Sequence, residues 1–382
     1  MYWTVHLDGG PRRVNHAAVG IGEFIYSFGG YCSAGDEYGF NEAIDVHVLN
    51  TNTLRWSLVN YKKDENGLLK YPNIPFQRYG HTVVAYKNKI YMWGGRNDES
   101  LCKILYCFDP ETLSWSRPKV TGEVPGARDG HSACIVENCM YIFGGFITEI
   151  NEFSCDVHCL NFDKMEWKYV QTFGVPPTFR DFHTSATING RMYIFGGRGD
   201  QQGPYYSQEE KYCNEIVYLD LKTKVWHRPA TTGKVPVGRR SHSMFIYNEL
   251  IFIFGGYNGQ LDQHFNDLYA FNPRNNCWIL IKPHCEPPAA RRRQVCIVKR
   301  SKMFLFGGTS PVSSGQDSGT LTDNNDMHIL DFDPSLKTLS MLTVLKSHID
   351  ITCLPEELKL DIRYNTLPNT ISRHHRSINQ TG

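Results

Sequence analysis

Short apolar runs that end in a glycine pair recur six times along the chain. Each run joins aromatic and aliphatic residues between polar segments, a pattern that indicates a buried strand. The copies end at Gly30, Gly95, Gly145, Gly197, Gly256 and Gly308. They lie roughly 50 to 65 residues apart, which is the period of repeat architectures built from small sheets.

Other residues recur at fixed places within each repeat. A second strand-like run is followed by a tryptophan, and a polar loop then ends in an Arg-x-x-His motif. The tryptophans are Trp56, Trp115, Trp167, Trp226 and Trp278, and the motifs begin at Arg78, Arg128, Arg180 and Arg239, with less regular copies at Arg13 and Arg291. Each repeat thus accounts for four short antiparallel strands. Six such units predict an all-β, six-bladed β-propeller over residues 1–334.

The sixth repeat has no tryptophan after its last strand-like run, Met327–Asp331. The missing residue stands at the front of the chain as Trp3, which precedes Arg13 and His16 as the other tryptophans precede their motifs. We therefore expect residues 2–7 to form the outer strand of blade six. This arrangement closes the ring and removes a free sheet edge.

The repeated polar residues have a structural interpretation. One histidine per blade is typical of a packing or hydrogen-bonding residue at a strand start, whereas a metal site needs several ligands on one face. Within the motifs we expect local ion pairs, Arg128 with Asp129 and Arg180 with Asp181. The sequence predicts no metal site and no cofactor.

Residues 335–362 follow a helical pattern instead of a strand-like one. One face of the first predicted helix carries Leu336, Leu339, Ser340 and Val344. Pro355 suits the first turn of a second helix, whose apolar face carries Leu354, Leu358 and Ile362. Spacing alone is compatible with helices that merely pack under the propeller. Residues 363–382 are polar and are predicted to form a flexible tail.

The bulk composition narrows the function classes. A formal net charge of +1 argues against a broad nucleic-acid-binding face, which needs a surplus of Lys and Arg. No apolar run approaches the ~20 residues of a membrane span, and the N-terminus has no secretory signal pattern. Twelve cysteines without a C-x-x-C pair indicate reduced thiols, and hence a cytoplasmic or nuclear protein.

Taken with the tail, the repeats resemble the kelch-domain substrate receptors of Cullin-2 RING ubiquitin ligases. In that family a BC-box helix inserts into elongin C, which is bound to elongin B. The resemblance assigns the BC-box to Ser335, Leu336, Leu339, Ser340 and Val344, with serine instead of cysteine at position 340. It assigns the neighbouring box for Cullin-2, which carries a RING subunit, to Leu354, Pro355, Leu358 and Ile362.

Receptors of this family bind substrate C-termini, especially those that end in glycine. A buried terminal carboxylate must be paired, and the fork of an arginine suits it. The resemblance assigns this role to Arg198, and Arg240 with Ser241 stands where a relative uses a serine. Arg292 occupies the same loop of the next blade. Apolar walls are expected from Phe146, Phe153 and Tyr257.

The chain itself ends in Gly382 with a free carboxylate. We expect that this end can enter the pocket of the same or another copy, which implies self-association. The alternative to a ligase receptor is a kelch scaffold that binds cytoskeletal or chromatin proteins through internal motifs. Catalysis is not expected, because no nucleophile elbow, P-loop or HExxH motif is present.

Overall fold

The computed structural model describes residues 1–32, 42–61, 73–312 and 320–374. Its strands form six antiparallel four-stranded blades around one axis, which confirms the predicted propeller. From the inner to the outer strand, the blades are Ala17–Ile21, Phe24–Phe28, Val46–Asn50 and Arg55–Val59 (blade one); Tyr79–Tyr86, Lys89–Arg96, Tyr106–Asp109 and Ser114–Ser116 (blade two); Ser132–Val136, Cys139–Phe143, Val157–Asn161 and Glu166–Tyr169 (blade three); Thr184–Ile188, Arg191–Phe195, Ile216–Asp220 and Val225–His227 (blade four); Ser243–Tyr247, Leu250–Phe254, Leu268–Asn272 and Cys277–Ile281 (blade five); and Val295–Lys299, Lys302–Phe306, Met327–Asp331 and Tyr2–Leu7 (blade six).

Shorter strands lie outside the four-stranded blades. In blades three to six, the loop after the glycine pair forms a small hairpin, and these hairpins are Phe146–Ile147 with Glu152–Phe153, Arg198–Asp200 with Glu210–Tyr212, Tyr257–Asn258 with Gln263–His264, and Thr309–Pro311 with Leu321–Asp323. Two further strands, Thr121–Gly122 and Thr232–Gly233, run parallel to the outer strands of blades three and five.

The N-terminal strand closes the ring as predicted. It pairs antiparallel with the third strand of blade six, from Tyr2 opposite Asp331 to Leu7 opposite Met327. The strand buries Trp3, Val5 and Leu7, while His6, between Val5 and Leu7, is exposed. This alternation is that of a strand with one face against a core, so the first residues of the chain complete the last blade.

Each repeated tryptophan packs against the preceding blade. Its ring contacts the aromatic residue directly before that blade's glycine pair, at centroid distances of 5.0–5.8 Å. The pairs are Trp3 with Phe254, Trp56 with Phe306, Trp115 with Phe28, Trp167 with Trp93, Trp226 with Phe143, and Trp278 with Phe195. The tryptophan and the aromatic–Gly–Gly motif are thus the two halves of one contact between blades.

Two helices follow the propeller in the described chain: α1 (Leu336–Lys346) and α2 (Glu356–Thr366). Ser335 caps α1 by accepting a hydrogen bond from the backbone N–H of Thr338, and Pro355 directly precedes α2. Lys337 and Asp361 form an ion pair that joins the helices. Neither helix has the length and apolar character that crossing a membrane requires.

The chain beyond α2 is more ordered than predicted. Helix α2 continues four residues past the expected boundary at 362, and Ser372–His374 pair as a parallel strand with the outer strand of blade one. The predicted flexible tail is therefore wrong for residues 363–374, whereas Gly382 lies outside the described residues. The reason is a set of contacts with the edge of blade one that no local pattern reveals.

Arg55 supplies part of this attachment, because its guanidinium donates to the carbonyls of Arg363 and Leu367 at 3.2 and 3.0 Å. Asn369 supplies a further contact, because its N–H donates to the carbonyl of Asp8 at 2.7 Å. Gly9 permits this approach, since a Cβ there would lie 2.1 Å from the Asn369 carbonyl oxygen and its φ is +81°.

Candidate functional site

The first arginine of each Arg-x-x-His motif is a buried structural residue. In blades two to six, its Nε donates to the carbonyl two residues earlier, and its Nη1 donates to the first glycine of the pair in the same blade. Four of the six first arginines also bind a carboxylate directly before the third strand of their blade, in the pairs Arg13–Asp45, Arg128–Asp156, Arg239–Asp267 and Arg291–Asp326.

The predicted local ion pairs are therefore wrong. Arg128 binds Asp156 and not its neighbour Asp129, and Asp181 binds Arg198 and not its neighbour Arg180. The first two residues of each motif point in different directions. The side chain of the first arginine enters the blade, whereas the second residue lies at one end of the central channel.

The third residue of each motif belongs to a closed ring of backbone hydrogen bonds around the axis. Each of these residues donates its N–H to the carbonyl of its neighbour in the preceding blade, with N···O distances of 2.7–3.2 Å. The ring is made by Asn15, Gly80, Gly130, Phe182, Ser241 and Arg293, all with φ between +48° and +67°. We call the space above this ring the mouth of the propeller. The ring is the floor of the mouth.

The motif histidines lie beside this floor and join neighbouring blades. His131, His183 and His242 hydrogen-bond through Nε2 to Thr82, Ser132 and Thr184, at 2.6–2.8 Å. Burial, followed by the charges of Arg128 and Arg239, lowers the pKa of His131 and His242 to about 3. These imidazoles are neutral at physiological pH, which agrees with the structural role predicted for them.

The mouth contains the three arginines predicted from the sequence. Arg198 binds Asp181 with two hydrogen bonds, of 3.1 and 2.5 Å, and its Nη1 lies 3.2 Å from Glu210. Arg240 also donates to Glu210, at 2.9 Å. Two of the predicted cations are therefore already neutralised by carboxylates of the same chain.

Arg292 lies in a different environment. Its guanidinium stacks over Tyr257 at 4.2 Å, and its buried Nε has no hydrogen-bond partner. Burial, followed by the charges of Arg293 and Arg240, lowers its pKa to about 10. The neighbouring Arg293 was not predicted, although its place in the Arg291–Arg293 run and at the third motif position could have revealed it.

Aromatic side chains form one wall of the mouth. Phe146, Phe153 and Tyr206 are in mutual ring contact at 5.1–6.5 Å, and Arg198 lies over Phe153 and Tyr206 at 5.5 and 5.4 Å. The structure therefore brings the predicted Phe146 and Phe153 together beside Arg198. It places Tyr257 between Arg240 and Arg292, and Ser241 in the floor.

Glu210 and Tyr206 escaped the sequence analysis, because they lie in the long insertion that forms the blade-four hairpin and no repeat partner marks them. Asp129 also lines the mouth side of its motif, and its buried Oδ1 has no hydrogen-bond partner. Burial, followed by the charge of Asp181, raises the pKa of Asp129 to about 7. The mouth thus has an acidic side on blades three and four and a basic side on blades five and six.

Among the described residues, one group could approach metal geometry. The ligand atoms of His6, Asp326 and His328 lie within 4.8 Å of one another. Asp326 already forms two 2.7 Å hydrogen bonds with Arg291, and the two imidazole rings stack at 4.3 Å. Asp326 and His328 belong to a repeated Arg–Asp–His arrangement, whose other copies pair Asp45 with His47 and Asp156 with His158.

The predicted docking residues of the tail differ in exposure. Leu336 is 80% exposed and Ser340 is also exposed, while Leu339 and Val344 are half-buried. Helix α1 turns its other face, with Thr338, Met341, Leu342 and Leu345, towards a cavity of about 230 Å³ between the helices and the propeller. In α2 and the residues before it, Pro355 is exposed and Leu354 and Leu358 are half-buried, but Ile362 is only 5% exposed.

Comparisons with known proteins place these features in a family. The KLHDC2/KLHL20/DRC7 Kelch-repeats domain matches residues 80–308 and 202–344. The chain is 48% identical over 375 residues to kelch domain-containing protein 3 of Homo sapiens and of Bos taurus, covering 97% of both chains. It is 26% identical over 339 residues to kelch domain-containing protein 2 of Bos taurus, covering 80% of this chain and 78% of that one. The chain belongs to the kelch-repeat family and is similar over nearly its whole length to kelch domain-containing protein 3.

Proposed function

We propose that the protein is the substrate-binding subunit of a Cullin-2–elongin B/C ubiquitin ligase, and that its propeller mouth binds protein C-termini that end in glycine. In this function the chain performs no chemistry itself. It holds a substrate near the ligase by binding both, which raises the local concentration of the substrate. The absence of paired cysteines among its twelve thiols supports a reducing cytoplasmic or nuclear location.

The observation that carries this proposal is the mouth itself. Four guanidinium groups, of Arg198, Arg240, Arg292 and Arg293, face a space whose floor is the ring of backbone hydrogen bonds. Asp181 and Glu210 are the carboxylates bound to them among the described residues. The surplus positive charge suits an anionic ligand such as the carboxylate of a chain end. Glycine at that end lets the aromatic and backbone walls approach closely, because it has no Cβ.

A peptide ending in Arg-Gly with a free carboxylate is expected to bind at least tenfold more tightly than its C-terminal amide. Hydrogen bonds between charged partners contribute about 1.5–3 kcal/mol each, and the amide removes the anion without changing the rest of the peptide. Fluorescence polarisation with both labelled peptides measures the ratio. Equal affinities would favour the alternative function, a kelch scaffold that binds internal motifs.

The tail supports the second half of the proposal. Leu336 and Ser340, two of the BC-box positions, lie on a face of α1 that the propeller does not cover. A leucine that is 80% exposed leaves apolar surface in water, and such surface is stabilised by burial against a partner. The buried Ile362 has a different role in this structure, since it anchors α2 to the body of the protein.

Substituting Leu336→Arg is expected to abolish co-purification with elongin B and C while leaving peptide binding unchanged. A charged side chain cannot enter an apolar pocket of a partner without a large desolvation penalty. Leu360→Arg is the matched control, because Leu360 is also exposed on a tail helix but occupies none of the positions that define either predicted box. Retention of elongins by the Leu336 variant, or equal loss in both variants, would contradict the assignment.

A further inference from the structure

We propose that the chain after α2 supplies blade one with an edge segment, and that this attachment fixes the direction of the docking helices relative to the mouth. Residues 367–374 form this attachment, which we call the C-terminal edge segment. The positioning role rests on the proposed function, since it concerns helices that dock a ligase. Its positioning residues are Asn369 and Arg55.

Four other blades show what an edge segment is. In each of them, the chain that leaves the outer strand of the preceding blade pairs in parallel with the outer strand of the next. These segments are Thr121–Gly122 on blade three, Phe173 opposite Val225 on blade four, Thr232–Gly233 on blade five and His284 opposite Tyr2 on blade six. An outer strand otherwise presents unpaired N–H and C=O groups, so this pairing protects the edge.

On blade one the edge is paired by a distant part of the chain. Only residues 8–12 join the outer strand of blade six to the next Arg-x-x-His motif, whereas residues 117–127 do so after blade two. In the described chain, the parallel partner of the blade-one outer strand is Ser372–His374, with Ser372 opposite Ser57. The Ser57 hydroxyl also lies 2.7 Å from Nδ1 of His374. The C-terminal edge segment thus takes the place that a connecting loop takes on the other blades.

Asn369 reproduces with its side chain a contact that other blades make with their backbone. The tryptophans of blades four and six donate their N–H to a carbonyl of the edge segment, in the pairs Trp226–Phe173 and Trp3–His284, at 2.9 and 3.0 Å. On blade one, the N–H of Trp56 donates to Oδ1 of Asn369 at 3.2 Å. The N–H of Asn369 in turn donates to the carbonyl of Asp8, which follows the outer strand of blade six. One residue therefore ties the C-terminal edge segment to the last blade and to the first.

The same attachment holds the end of α2. The last carbonyls of a helix have no partner within the helix and carry partial negative charge. The guanidinium of Arg55, which begins the outer strand of blade one, donates to the carbonyls of Arg363 and Leu367 and lies 5.8 Å from the ring of Tyr364. Helix α2 is therefore fixed by blade one at its C-terminal end and by the buried Ile362 in its last turns.

Helix α1 takes its direction from α2. None of the residues of α1 is buried, and the cavity of about 230 Å³ separates its inner face from the propeller. The ion pair between Lys337 and Asp361 joins it to α2. Because α1 packs loosely on the propeller but is tied to α2, release of the C-terminal edge segment frees both helices to turn.

The direction of the helices matters because the two binding surfaces lie at opposite ends of the propeller. The glycine pairs and the mouth are at one end of the blades. Thr51, Asn52 and Lys302, which line the cavity under α1, lie at turns of the other end. A substrate in the mouth must reach past the propeller to a ligase held by the helices, so its effective concentration there depends on how the helices point.

Hydrogen–deuterium exchange on the full chain tests the attachment. In Asn369→Ala, peptides that cover Arg55–Val59 and α2 are expected to exchange about two- to tenfold faster than in the wild type, because the edge loses a hydrogen bond. Arg55→Ala is expected to act in the same direction on α2 while leaving the buried Trp56 in place. Unchanged exchange in both variants would overturn the attachment.

Asn365→Ala is the matched control for this measurement. Asn365 is also an asparagine of the tail, but its side chain donates to the carbonyl of Asp361 within its own helix. A change of about twofold or less is expected. Peptides from blades three to five report on the global fold in the same samples. If they also exchange faster in Asn369→Ala, that variant is destabilised as a whole and the Arg55→Ala result decides.

Ubiquitin transfer in a reconstituted ligase tests the positioning role. Elongin B/C, Cullin-2 with its RING subunit and a substrate that ends in Arg-Gly and carries a single lysine are combined with each variant. Asn369→Ala and Arg55→Ala are expected to keep the wild-type affinities for elongins and for the substrate, but to transfer ubiquitin about threefold or more slowly. An unaltered rate would overturn the positioning role.

The two levels of the proposal fail in different ways. If the wild type neither binds elongins nor transfers ubiquitin to this substrate, the proposed function is wrong, while the exchange measurements still decide the attachment. If the wild type does both and the two variants transfer ubiquitin equally fast, the function stands and only the positioning role is wrong.

Discussion

Replacing Trp3 with alanine is expected to lower the free energy of unfolding by about 3–5 kcal/mol. Trp3 is 5% exposed and packs edge-on against Phe254 of blade five, with ring centroids 5.8 Å apart. Its loss leaves a cavity at the one place where the two ends of the propeller chain meet. Equilibrium urea unfolding measures the change, and a decrease in melting temperature of about 5 °C should accompany it.

His6→Ala provides the control for this experiment. His6 lies on the same strand as Trp3, but its side chain is 59% exposed and makes only a ring contact with His328 and a 3.5 Å contact with the exposed Asp8. We expect a cost below about 1 kcal/mol, the usual range for surface substitutions. A Trp3 variant as stable as the His6 variant would mean that the N-terminal strand contributes little to ring closure.

Replacing Arg128 with alanine is expected to cost about 3 kcal/mol, at the lower end of the range for a broken buried ion pair, since the Asp156 side chain remains 26% exposed. The substitution removes the bond to the carbonyl of Gly144 at 3.0 Å and leaves Asp156 without its cation. Arg180→Ala is the matched control, because Arg180 makes the same carbonyl bonds but has no carboxylate partner in the described chain. The Arg180 variant is expected to be the more stable of the two.

The cost of removing Arg128 should depend on pH. Burial alone would raise the pKa of Asp156, but the hydrogen bonds and charge of Arg128 lower it below its ordinary value. The pair therefore stabilises the fold above the pKa of the unfolded carboxyl, ~3.9, and this contribution is lost as the solution becomes more acidic. Urea unfolding at pH 7 and pH 3 should show a smaller difference between wild type and variant at pH 3. A constant difference would assign the cost to the carbonyl bonds alone.

The propeller architecture could be predicted from the sequence because it is periodic. A strand, a glycine pair and a tryptophan that recur in register predict a blade, and one missing tryptophan predicts the closing strand. The partner of each tryptophan was not predictable in the same way. Trp167 and Trp93, for example, are far apart in sequence, and only the ring geometry brings each tryptophan to the blade before its own.

The ion pairs were predicted wrongly because their true partners are also far apart in sequence. Asp129 is next to Arg128 in sequence, whereas the true partner Asp156 lies 28 residues away, directly before the third strand of the blade. The strand Ser372–His374 was missed because three polar residues carry no alternation of apolar and polar positions. In the mouth, the arginines were predictable from their places in the repeat, but the carboxylates that neutralise two of them lie at non-adjacent positions.

The closed backbone ring at the axis bears on how a receptor of this kind can acquire new ligands. Its six hydrogen bonds use main-chain atoms alone, so the side chains of the six residues take no part in forming the ring. One backbone geometry already displays an amide, two glycines, an aromatic ring, a hydroxyl and a guanidinium. A combinatorial library at Asn15, Phe182, Ser241 and Arg293, without β-branched residues because the backbone there has positive φ, would therefore sample new terminal-residue preferences on an unchanged scaffold.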